Sequence, residues 1–109
     1  MENLKHHYHE LRTLCKCKAK KRKLLLQHAS GDVIRTISQA ARNTIKGNVK
    51  LSSRHKQRLR RHKNILRKLS RKRVSLKSRR KLLMQKGGAF LPLLLGPILS
   101  AIAGSLFNR

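Results

Sequence analysis

No Asp or Glu occurs after Asp32, so positions 33–109 form a polycation that cannot be neutralised from within. Glu2, Glu10 and Asp32 are the only acids set against 29 Lys and Arg, for a formal net charge of +26. Charges of one sign repel and oppose a compact state, so the sequence calls for an external polyanion to supply the missing counter-charge. At 109 residues there is room for one small domain with a limited core. A hydrophobic fraction of 39% is too high for a purely disordered tail. Leucine and isoleucine recur at helical spacing, which predicts an all-α protein of three or four short basic amphipathic helices. Charge alone leaves open whether those helices pack before a partner arrives.

The chain divides into residues 1–31, an N-terminal basic helical segment; 32–86, a basic helical region; and 87–109, a Gly-Gly hinge with an apolar tail. Leu4, Tyr8, Leu11 and Cys15 step by four, three and four, one stripe of a short helix over 3–15. A second helix follows the basic run 18–23, gains anchors from Leu24, Leu25 and Leu26, and ends near Ser30-Gly31. Asp32 is placed to cap the next helix, whose wide apolar face comprises Val33, Ile34, Ile37, Ala40, Ala41 and Ile45, with Gly47-Asn48 as its stop. Ser52 or Ser53 caps a helix predicted to run unbroken to Leu69-Ser70, and another starts at Ser75 and stops at Gly87-Gly88.

The tail 89–107 would span about 28 Å as one straight helix, close to the thickness of a bilayer core. Pro92, Gly96 and Pro97 interrupt its first half, and proline removes a helical hydrogen bond and crowds the preceding turn. The expectation is therefore a helix from about Pro97 to Phe107 and not one uninterrupted span. Phe90, Leu91, Leu93, Leu94, Leu95, Ile98, Leu99 and Ile102 are the residues available for membrane insertion, for docking on a partner, or for completing the bundle's own core. The Lys/Arg imbalance across the tail fits a tail anchor.

Three scattered acids give no carboxylate pair, and no phosphate loop or nucleophile arrangement is visible, so no enzyme activity, cofactor or small-molecule substrate is expected. His6, His7, His9, Cys15 and Cys17 carry metal-ligating atoms, but their spacing matches no closed tetrahedral site and no metal is expected. The two cysteines define no disulfide framework, and no secretory leader precedes them, which suggests a reducing, intracellular setting. The basic string 18–23 also has the composition of a nuclear import signal.

From Arg35 to Lys86 there are 20 Lys and Arg in 52 residues, spread over every predicted helix. Phosphate neutralisation with counter-ion release is the expected chemistry, with Arg54, Arg58, Arg60, Arg61, Arg67, Arg71, Arg79 and Arg80 as the main contacts. No groove-reading module is recognisable, and only Tyr8, Phe90 and Phe107 are aromatic, so sequence readout and base stacking are not expected. Contact with backbone phosphate remains, to DNA before RNA. The alternatives are a tail-anchored or membrane-active basic protein and an RNA-binding, ribosomal-type protein.

The order of parts over residues 20–107 resembles small basic proteins of adenovirus-like mobile elements, the Polinton/Maverick and adintovirus group. Lys23-Leu24-Leu25-Leu26, the turn 45–49 with Leu51, the run 58–63 and the stretches 74–77 and 81–88 carry the resemblance. Phe90-Leu91-Pro92 then resembles the Gly-Gly-Phe-Leu tail of the adenoviral mu core precursor (protein X), with Ala89 inserted between Gly88 and Phe90. The resemblance implies DNA condensation in a virion core or during packaging, a nuclear or virion location, and a tail that engages capsid protein or membrane.

Overall fold

The computed structural model describes residues 2–107. The described chain is all-α, with no strand: α1 (Glu2–His6), α2 (Tyr8–Lys16), α3 (Ala19–His28), α4 (Gly31–Ile45), α5 (Ser53–Arg60), α6 (Lys63–Ser70) and α7 (Leu76–Phe107). The inner faces follow the predicted stripes in large part, but Leu14 takes the place expected of Cys15, which is half-buried, and of the expected anchors of α3 Leu24 is exposed and Leu25 half-buried. Leu4, Tyr8, Leu11 and Leu14 are buried from α1 and α2, Leu26 from α3, and Val33, Ile34, Ile37, Ala40 and Ala41 from α4. Ser52 caps α5 by accepting the His55 N–H at 3.2 Å, and Ser75 caps α7 by accepting that of Ser78 at 3.1 Å. Gly47, at φ +79°, takes the left-handed turn that ends the α4 region, a conformation costly for residues with a Cβ.

Four further local expectations are corrected. Ser30, not Asp32, caps α4: its hydroxyl accepts the Val33 N–H at 3.2 Å, while Asp32 sits in the first turn and pairs with Arg35. Ile45 lies outside the core, 49% exposed. The helix expected from Ser52 to Ser70 is broken at Arg61-His62. This turn lets α5 bury Leu59 and pack on α7, while α6 buries Leu69 and packs on α4.

The fourth correction is the largest. Gly87-Gly88 is not a hinge and the prolines do not divide the tail: α7 runs 32 residues through all four positions and packs against α2, α3, α4, α5 and α6. Gly87 allows close approach to α3, since a Cβ there would lie 3.8 Å from the Leu26 side chain and 3.3 Å from that of Leu91. Phe90, Leu91, Leu94, Leu95, Ile98, Leu99 and Ile102 are buried, and Leu93 is half-buried. At about 1.5–3 kcal/mol for each buried side chain, these contribute on the order of 10–20 kcal/mol. Even reduced for a compact denatured state, that exceeds the roughly 3 kcal/mol that each proline costs a helix.

The carbonyls freed by the prolines also find partners. A helical N–H at position 92 would bond the Gly88 carbonyl, and one at 97 the Leu93 carbonyl; proline supplies neither. Arg22 Nη1 donates to Gly88 O, and His55 Nε2 lies within hydrogen-bonding distance of Leu93 O. Because a carbonyl only accepts, Nε2 of His55 carries the proton. Arg22 is itself buried and also donates to Leu14 O (2.6 Å), Cys15 O (3.2 Å) and Cys17 O (2.9 Å), closing the C-terminal end of α2. The negative end of that helix serves this internal cation in place of a carboxylate.

Candidate nucleic-acid interface

Each of α5 and α6 buries a single residue, Leu59 and Leu69, so most of their remaining surface faces outward. Arg54, Arg58, Arg60 and Arg61 are exposed on and just after α5, Arg67 on α6, and Arg71 just beyond it. Lys56, Lys63, Lys68, Lys72 and Arg73 are exposed beside them in sequence. Glu10 approaches His7 at 4.0 Å and Asp32 pairs with Arg35 at 3.1 Å, each within its own stretch of chain. Among the described residues no carboxylate reaches the α5–α6 cations, which leaves their guanidinium groups free for phosphate oxygens.

Two of the eight expected phosphate contacts face elsewhere. Arg79 is buried and donates from Nη2 to Arg71 O at 2.7 Å and Lys72 O at 3.4 Å, holding the loop between α6 and α7. Burial pushes its guanidinium pKa below the ordinary arginine value, and the positive charges of Arg42 and Arg35 push the same way. Arg80, half-buried, donates from Nη1 to Leu26 O (2.7 Å) and Ala29 O (2.6 Å), satisfying carbonyls at the end of α3. Leu76, Arg79, Arg80 and Leu83 fall at helical spacing on one face, so the sequence carried a sign that these arginines point inward.

Lys81 and Ser78 are exposed residues beside this surface that the sequence reading does not single out. With Lys68, Arg71 and Gln85 they line a groove of about 310 Å³ between the end of α6 and the start of α7. Ser78 Oγ accepts from Ser75 Oγ at 3.0 Å, which leaves its own O–H able to donate to a phosphate. Arg12, Lys16 and Lys21 line a further basic groove with His9, Thr13 and Cys17, of about 500 Å³, so the cationic surface extends to α2 and α3.

Within the described residues His, Cys, Asp and Glu form no group of three placed to hold a metal ion. Cys15 is half-buried, and burial pushes its thiol up to about 11 from an ordinary 9.0, with Cys17 adding to the rise and the charge of Arg22 opposing it. Near about pH 8 its thiolate fraction is therefore roughly a hundredfold below that of an ordinary thiol. Alkylation by iodoacetamide, followed by peptide mass spectrometry, is expected to modify Cys15 about a hundredfold faster in urea than in the folded chain.

By length and composition, residues Leu76–Gly104 of α7 make one helix able to cross a membrane, with mean hydropathy 1.7 over its most apolar stretch and 44% of that stretch buried in the bundle. Comparison with known protein families, curated proteins and solved structures finds no match to the chain.

Proposed function

We propose that the chain binds double-stranded DNA through backbone phosphates, without sequence preference, and helps to condense it in a virion core or during packaging. The observation that carries this reading is the set of exposed arginines on α5, α6 and the following loop, with no described carboxylate in reach. Six such contacts imply a slope of log affinity against log salt of about −5, and a loss of about a thousandfold between roughly 50 and 200 mM salt. The charge of +26 matches about 26 phosphates, roughly 13 base pairs, so condensation requires many copies. The resemblance to core proteins of adenovirus-like elements supports the packaging role and a nuclear or virion location. A gel shift of a short random-sequence duplex over a salt series tests the binding. A slope near −5 is expected, whereas a slope near zero, or clear preference for an RNA duplex of the same sequence, overturns the DNA reading.

The length and hydropathy of α7 favour a second reading, in which the bundle opens on an anionic membrane, the polycation binds lipid headgroups and α7 inserts. Flotation with anionic vesicles that persists at high salt, and is lost on deleting 89–109, would replace the first reading with this one.

A further inference from the structure

Ile45 should complete the apolar face of α4, yet it and Leu24 (58%) are the large hydrophobic residues left exposed among those described. Ile45 is not isolated. With the half-buried Val49, Leu51 and Leu66 it floors a groove of about 420 Å³ between the end of α4, the connector and the α5–α6 pair. The left-handed turn at Gly47 folds the connector back to form one wall. The rim carries Lys56 and Arg60, one helical turn apart on α5, and Lys63 at the start of α6.

A duplex backbone presents phosphates but no aliphatic group to fill such a floor. A single-headed lipid brings one anion to a rim of three cations. Carboxylates spaced one turn apart on a helix, flanking leucine-like anchors, match both features. We propose that this groove docks an acidic amphipathic segment of a partner protein, which covers Ile45 and supplies part of the counter-charge missing after Asp32. Arg60 on the rim is shared with the proposed phosphate contacts, but the apolar determinant, Ile45, is not, so the proposal does not rest on the DNA reading and the two fail separately.

Fluorescence anisotropy of the full chain with a labelled helical peptide of Glu pairs and Leu pairs tests it. Ile45→Ser removes the exposed anchor without altering charge, and Leu24→Ser is the matched control outside the groove. Ile45→Ser is expected to weaken peptide binding about tenfold or more. Leu24→Ser should leave it unchanged, and both variants should shift DNA as the parent does. Equal binding of a peptide with every Leu replaced by Ser would overturn the proposal, as would an Ile45→Ser variant of parental affinity or one that loses DNA binding in parallel. Displacement of the peptide by decanoate at matched concentration would assign the groove to a fatty-acid ligand instead.

Discussion

Replacing Arg54, Arg58, Arg60, Arg61, Arg67 and Arg71 together by Gln is expected to flatten the salt dependence of DNA binding by about 5 in slope and to lower affinity about 10³- to 10⁵-fold at moderate salt. All six side chains are exposed, and Gln is nearly as good a helix former as Arg, so the cost to the fold is small. Removing like charges from an unneutralised surface also relieves repulsion, so the thermal midpoint should hold or rise. The opposite pattern is expected for Arg79→Met with Arg80→Met. There the lost partners are backbone carbonyls of the 71–72 loop and of the end of α3, so stability falls while the salt slope changes little. Gel shifts over a salt series, read beside thermal melts, check both arms. An unchanged slope in the sixfold variant would remove α5 and α6 from the interface.

The contrast between these arginine sets marks how far the sequence could be read. Where structure follows from a local pattern, most of the reading holds: Tyr8 and Leu11 of α2 and Val33, Ile34, Ile37, Ala40 and Ala41 of α4 are buried, and Ser52 and Ser75 cap the helices they precede. Ser30 and Asp32 both suit an N-cap, and two residues decide between them, which is finer than composition resolves. Gly87-Gly88, Pro92 and Pro97 mislead for a different reason. The rule that proline interrupts a helix assumes that the freed carbonyl stays unpaired, but here its partners lie 66 and 38 residues away in sequence, on α3 and α5. No window along the tail contains Arg22 or His55. The candidate site divides in the same way: the abundance of cations was legible, while the inward turn of Arg79 and Arg80 depended on the stripe they share with Leu76 and Leu83.

Arg22 and Pro92, with no side-chain chemistry in common, are coupled through one acceptor, the Gly88 carbonyl. Arg22→Met keeps an apolar stem in the core and removes every donor, leaving Gly88 O, Leu14 O, Cys15 O and Cys17 O without this partner. With about 1–3 kcal/mol for each buried group left unsatisfied, the change should cost about 3 kcal/mol or more, a large share of the stability of a small domain. Pro92→Ala restores an N–H that can reach Gly88 O from within α7, so in that background Arg22 is needed only at the end of α2. The cost of Arg22→Met should then shrink by about 1–2 kcal/mol, the coupling expected when one acceptor passes between two donors. Pro97→Ala frees a donor for Leu93 O, which Arg22 does not touch, so the same Arg22 substitution should be additive there. Denaturant unfolding of the parent, the Arg22→Met and Pro92→Ala single variants and their double variant, with Pro97→Ala and its double variant as control, gives both differences. Equal cost of Arg22→Met in the parent and Pro92→Ala backgrounds would mean that α7 passes its first proline unaided, with burial of its leucines alone holding the helix together.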